Sequence, residues 1–155
     1  MNRSDIIYDL AMLLGCEARK NEPLNRHTTF KIGGNADVYI KVGTLSKLSA
    51  ILKECRESDV DYLILGNGSN VLASDEGFSG VVIRLDGDFR RISLVDDNTI
   101  YCGAGASLAS LCKFALKCGL TGLEFGWGIP GSVGGAVFMN AGAYGGEMKQ
   151  VTTRV

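Results

Sequence analysis

The sequence predicts an α+β fold laid out as two lobes. Three observations support this. Helical apolar stripes alternate with short β-type runs along the whole chain. Each half carries one glycine-rich loop, at 66–70 and within Gly122–Glu147. Between the halves, residues 80–91 form a seam. The expected division is a helical appendage over 1–20, a first subdomain over 21–85 and a second over 86–155.

Composition narrows the function classes. The 155 residues are 46% hydrophobic with a net charge of −1, enough for a real core and without the basic stripe that nucleic acid requires. No apolar run reaches the ~18 residues of a membrane span. The N-terminal apolar segment is interrupted or flanked by Asp5, Asp9 and Glu17, and no small-residue cleavage site follows it. Five cysteines with no Cys-x-x-Cys pair indicate neither a disulfide frame nor a zinc site. Reduced thiols, mostly buried, in a cytoplasmic protein are the expectation, with no metal.

Taken in order, Ser4–Cys16 predicts a helix with Ile6, Ile7, Leu10, Leu13 and Leu14 on one face. Ser4 is its candidate cap. The polar run Glu17–Glu22 and Pro23 end it. Ala36–Val42 alternates as a strand. His27 is the only histidine; with no nucleophile or second ligand near it in sequence, it is read as structural. Thr28 and Thr29 are expected to bond the local backbone. Thr44 caps a helix to about Ser58 with Leu45, Leu48, Ile51, Leu52 and Cys55 inward. Tyr62–Leu65 is a short strand, so strand, helix and strand predict a right-handed βαβ unit with parallel pairing.

That strand runs into Gly66-Asn67-Gly68-Ser69-Asn70-Val71-Leu72. Gly-x-Gly after a strand suggests the dinucleotide fingerprint, but the third glycine position is Val71 and another strand, Val81–Leu85, follows instead of a helix. Such a loop binds anions through its own amides, as a nest. Ile92–Val95 and Thr99–Cys102 flank Asp96-Asp97-Asn98 as a hairpin. After the turn Gly103–Ala106, Ser107 caps a helix carrying Leu108, Leu111, Cys112, Ala115 and Leu116, and Gly119 ends it.

The stretch Gly122–Glu147 is denser still in glycine, in a chain whose 21 glycines are near twice the usual ~7%. Flexible linkers are polar and Gly/Ser-rich, whereas this one carries Trp127, Ile129, Val133, Val137, Phe138, Met139 and Tyr144, which are expected to be buried. Ser132–Met139 predicts a short helix aimed at a phosphate, with Pro130 and Gly131 at its start. Val151–Val155 looks like the start of a strand. The two glycine loops are expected to close on one partly anionic ligand.

The pieces NEPLNRHTTFKIGGNAD, LGNGSNVLASDEGFSGVVI, CGAGA and GLEFGWGIPGSVGGAVFMNAGAYGGE resemble the MurB family, the UDP-N-acetylenolpyruvoylglucosamine reductases (UDP-N-acetylmuramate dehydrogenases). They lie in the family's order and cover most of 23–147. The resemblance implies a two-subdomain FAD-binding domain of the vanillyl-alcohol-oxidase (PCMH) type. It also implies a flavoprotein oxidoreductase with non-covalent FAD, in which NADPH supplies hydride for reduction of the enolpyruvyl group of a UDP-sugar. The resemblance further implies that a serine, assisted by an arginine and a glutamate, protonates the carbanion or enol left by hydride transfer. The pathway is peptidoglycan synthesis, and with it cell wall biogenesis, cell shape and cell division. Carried over, Gly66, Asn67, Gly68, Ser69, Asn70, Val71 and Leu72 match the pyrophosphate loop. Gly128, Ile129, Pro130, Gly131, Ser132, Gly134, Gly135 and Ala136 match the second flavin-embracing segment, with Ile129, Val133 and Ala136 as apolar walls for the ring. Asn140, Ala141, Gly142, Ala143 and Tyr144 continue along the isoalloxazine and the substrate channel.

The family's catalytic arginine, serine and glutamate have no match up to Val155, so no catalytic residue is assigned. The resemblance therefore implies the N-terminal, FAD-binding part of a longer enzyme, inactive alone and with apolar surface left for self-association. Two alternatives stay open: a related FAD-linked oxidase or dehydrogenase domain, and a non-catalytic nucleotide-binding module.

Overall fold

In a computed structural model that describes residues 3–155, the chain forms two compact units, the first ending at Asp88 and the second running Phe89–Val155. The first contains α1 (Arg3–Leu13), β1 (Glu17–Pro23), β2 (Asn35–Val42), α2 (Leu45–Glu57), β3 (Tyr62–Ile64) and β4 (Phe78–Leu85). Its four strands form one sheet in the order β1-β2-β4-β3. β1 is antiparallel to β2, and β2 and β3 are each parallel to β4.

The βαβ expectation is thus corrected in one respect. β2 and β3 are parallel members of one sheet, but β4 lies between them. The reason is burial. β4 contributes Gly80, Val81, Val82 and Ile83 in succession to the interior, and a strand buried on both faces belongs in the middle of a sheet. Tyr62, Leu63 and Ile64 all remain exposed, which suits an edge.

β1 was expected to be only the polar end of the first helix. It forms the other edge, held by the ladder to β2 and by Lys41 Nζ–Glu17 Oε2 at 2.9 Å. Its charges keep that edge from pairing with other chains. α1 touches β1, β2, β4 and α2. It is inward at Ser4, Ile7 and Ala11, so the expected stripe holds only in part: Ile7 is buried and Leu10 and Leu14 half-buried, whereas Ile6 is exposed and Leu13 is 84% exposed. Ser4 lies in the first turn and donates to Asp37 Oδ2 at 3.1 Å. The cap of α2 is Thr44, as expected.

Strand alternation sorts the sheet's side chains. Val38, Ile40, Val42, Val81 and Ile83 share one face and are wholly buried. On the other, Leu24, Tyr39, Leu65 and Val82 make a second core, with Val71, Ala73 and Phe78 packed on it. That second core is the floor beneath the loop after β3.

The second unit contains the hairpin β5 (Ile92–Asp96) and β6 (Thr99–Cys102), α3 (Leu108–Lys117), α4 (Val133–Phe138), β7 (Gly142–Ala143), β8 (Gly146–Glu147) and α5 (Met148–Val151). Ser107 caps α3 through Ser110 N, and Gly119 follows at φ +71°. The core is Ala106, Leu108, Leu111, Cys112, Phe125, Val133, Ala136 and Met148. The strand expected over Val151–Val155 does not form: Val151 ends α5, which Glu147 and Gln150 start with a capping box, and 152–155 have no regular structure. The expected burial of the 122–147 apolar residues holds only in part. Trp127, Phe138, Met139 and Tyr144 are exposed. Among the described residues no helix is long and apolar enough to cross a membrane.

Candidate functional site

In the first unit, the chain leaves β3 at Leu65, whose N–H is fixed to Ile83 O at 2.9 Å. It then turns through Gly66–Asn70 without forming a helix. Gly68 has φ +63°, and a Cβ there would lie 2.0 Å from the His27 carbonyl oxygen. Its own carbonyl accepts from Thr29 N at 3.0 Å. Only glycine fits this approach. Asn67 Oδ1 accepts from Arg84 Nη2 at 3.5 Å. Val71 packs on the floor core, while Leu72 is exposed.

The main-chain donors of this loop are the decisive feature. Among the described residues, no hydrogen bond is donated by a backbone N–H from Gly66 to Leu72. No acidic residue lies in that run, and the half-buried Arg84 stands beside it. Open amides with a neighbouring guanidinium suit an anion. Arg84 carried no sequence signal: it is one polar residue near the end of an apolar strand.

Behind the loop stand Glu22, His27 and Tyr39. Glu22 is 5% exposed. His27 Nε2 lies 2.8 Å from Glu22 Oε1, and Arg19 Nη1 donates to the same oxygen at 3.2 Å. Burial pushes the Glu22 carboxyl up, but the His27 hydrogen bond and the charges of Arg19, His27 and Arg26 outweigh it and leave it below the usual range. The His27 ring stacks on Tyr39 with centroids 4.1 Å apart. Among the described residues the buried Tyr39 hydroxyl has no hydrogen-bond partner; burial raises its pKa against the pull of nearby Arg84. Thr28 Oγ1 donates to Ile32 O at 3.0 Å, the local backbone bond expected of it.

The second loop is built differently. Ser132 is buried and caps α4, its Oγ accepting from Gly135 N at 3.2 Å. Val133 N donates to Ala106 O at 2.8 Å and Gly134 N to Ala104 O at 2.9 Å. Gly131 O accepts from Leu108 N at 3.0 Å. A Cβ on Gly134 would lie 2.7 Å from that of Ala104, so here the glycine lets two turns pack. The expectation that this helix aims open donors at a phosphate is corrected: its first-turn amides already bond within the unit. Val133 and Ala136 line the unit's core; Ile129 is half-buried, and Gly128 and Pro130 are exposed.

Beyond α4, Asn140 sits at φ +46° with both ends of its amide engaged. Oδ1 accepts from Lys149 N at 2.9 Å, and Nδ2 donates to Glu147 Oε2 at 2.7 Å. Hydrogen bonds from Lys149 and Asn140 hold the Glu147 carboxyl below its usual value. Ala141 bonds to Ala136 and Met148, and Gly142 and Ala143 form β7. Tyr144 is at the hairpin tip with φ +53°, fully exposed. A separate cavity of about 330 Å³ in this unit is lined by Cys112, Leu116, Leu120, Leu123, Glu124 and Trp127 among others, and by none of the residues assigned from sequence. Among the described residues no group of three His, Cys, Asp or Glu is placed to hold a metal ion.

Residues 36–155 match the family model described as FAD binding domain. The chain belongs to that family. This FAD-binding domain is 44% identical over 156 residues to UDP-N-acetylenolpyruvoylglucosamine reductase of Clostridioides difficile strain 630, covering 100% of this chain and 51% of that protein. It is 46% identical over 132 residues to the protein of the same name from Heliobacterium modesticaldum, covering 85% and 42%. A crystal structure of UDP-N-acetylenolpyruvylglucosamine reductase (MurB) from Thermus caldophilus superposes with a TM-score of 0.67 at 41% identity, covering 85% of this domain and 44% of that chain. The α+β class and the resemblance to the MurB family both stand. The FAD-binding domain spans about half the length of the curated relatives it matches.

Proposed function

We propose that this chain is the FAD-binding portion of an NADPH-dependent oxidoreductase that reduces UDP-N-acetylglucosamine enolpyruvate to UDP-N-acetylmuramate. The setting is cytoplasmic peptidoglycan precursor synthesis, which feeds cell wall growth, cell shape and division. The observation that carries this reading is the loop 66–72, whose backbone donors have no partner among the described residues and whose shape requires glycine at 68. The family match and the names of the relatives support it.

The proposed contacts are Gly66–Leu72 in the first unit and Gly128–Ser132, Gly134–Ala136 and Asn140–Tyr144 in the second. The residues present fit an FAD diphosphate: among the described residues no carbonyl accepts from the amides of 66–70, and Arg84 adds positive charge beside them. Bound FAD supplies hydride chemistry. The chain's own residues bind and orient it. Gly68 and Thr29 fix the loop, Asn67 ties it to Arg84, and Asn140 fixes the segment leading to Tyr144. No residue of this chain is assigned to NADPH or to proton transfer. Binding without turnover is therefore the expected behaviour.

His27 is committed to Glu22, which supports non-covalent FAD over a histidine-tethered oxidase. The test is titration of the 155-residue chain with FAD and with riboflavin. Quenched flavin fluorescence, tighter binding of FAD than of riboflavin, and release of all flavin on denaturation are expected. An unchanged signal on FAD addition would refute flavin binding, and competition by plain phosphate or ADP without preference for FAD would favour a general nucleotide module.

A further inference from the structure

The geometry points to Glu22 and His27 as a positioning pair for the amide loop 66–70, acting through the backbone of 27–29 and not by contact with the ligand. The inference rests on the flavin reading of that loop.

A buried carboxylate is a costly way to stabilise a sheet edge, since an apolar pair of similar volume often serves as well. What the pair does provide is a fixed orientation. Glu22 holds one ring nitrogen of His27 at 2.8 Å, and Tyr39 holds the ring face at 4.1 Å between centroids. The side chain therefore has one seat. Its main chain then forms the wall of the loop: His27 O and Thr28 Cα would lie 2.0 and 2.9 Å from a Cβ on residue 68, and Thr29 N bonds Gly68 O at 3.0 Å. Gly68 is thus set against a wall whose position the Glu22–His27–Tyr39 stack decides. The amides of Asn67, Gly68 and Ser69 point where that wall lets them. Arg84, which ties Asn67 from β4, holds the loop from the other direction. Groups that aim a binding residue in this way matter nearly as much as the residue itself.

The test uses the 155-residue chain with His27→Phe, which keeps a ring to stack on Tyr39 and removes the N–H to Glu22. The FAD dissociation constant is expected to rise about tenfold or more, as for other outer partners of a binding group. Thermal unfolding without FAD is expected to drop, because Glu22 loses a partner in a buried setting, so affinity is read at a temperature where both proteins are fully folded. In the ligand-free protein, the backbone amide resonances of Asn67, Gly68 and Ser69 are expected to move. A purely structural role would lower the unfolding temperature and leave the affinity of the folded fraction alone. An affinity within about twofold of the parent, together with unmoved amide resonances, overturns the proposal. Should His27→Phe not fold, Glu22→Gln is read by the same two measurements. A parent chain that binds no FAD sinks the flavin reading instead, and the amide resonances of the variants then decide the positioning role alone.

Discussion

Gly68 occupies a left-handed conformation with room for a hydrogen and no more. Replacing it with alanine adds a methyl group against the His27 carbonyl and strains the backbone, at about 2 kcal/mol or more. Gly68→Ala is expected to lower the urea midpoint and to weaken FAD binding below detection in a fluorescence titration. Glu22 makes the fold sensitive to acid. Its carboxyl is held below the usual 4.5 in the folded chain, so the charged form is the one folding favours. Its contribution is complete above about the unfolded value and is lost as pH falls through the depressed one. Urea midpoints measured from pH 7 downward should fall through that acid window. In Glu22→Gln the fall should be shallower; an identical profile would remove Glu22 as its source.

Among the elements, α4 shows how a short helix survives. Six residues with two glycines make a poor helix by themselves. Ser132 caps it, and carbonyls from the 104–106 turn bond its next two amides. Ser132→Ala should cost about 1 kcal/mol, read as a drop in the unfolding midpoint. A large loss of affinity at unchanged stability would mean that the Ser132 hydroxyl meets the ligand. In the sheet, Ile83→Ala should cost about 2–5 kcal/mol, because β4 is covered on both faces and a cavity there cannot collapse.

Across the whole molecule, the legible parts were those coded locally. The 92–102 hairpin follows from two β-type runs around Asp97-Asn98, and the capped helices follow from Thr44 and Ser107. That the 66–72 turn leaves its amides open was legible from its glycines and lack of acids. What escaped depended on distant partners. β1 has hardly an apolar residue, and its strand character comes from the ladder to β2. The place of β4 between β2 and β3 is decided by two-faced burial. That the donors of α4 are occupied depends on carbonyls of Ala104 and Ala106, which no local pattern reveals. The thiols offer a check on the packing of both units. Cys16, Cys55 and Cys112 are buried, Cys102 is half-buried and Cys118 is exposed. Burial pushes Cys55 and Cys102 up to about 11, so neither supplies thiolate near neutrality. A disulfide-exchange reagent at pH 8 should modify one thiol quickly and the rest only on unfolding.

The half-exposed indole of Trp127 has a practical corollary. It is the only tryptophan in the sequence and lies in the second unit, with more than half its surface in solvent. Its emission should be red-shifted and open to acrylamide in the native state, and it reports on the neighbourhood of α3 and α4. Melting of the β1–β4 sheet would pass largely unseen in that channel. A denaturation curve followed at 350 nm alone would describe half a protein, and far-ultraviolet dichroism is needed to follow the other half.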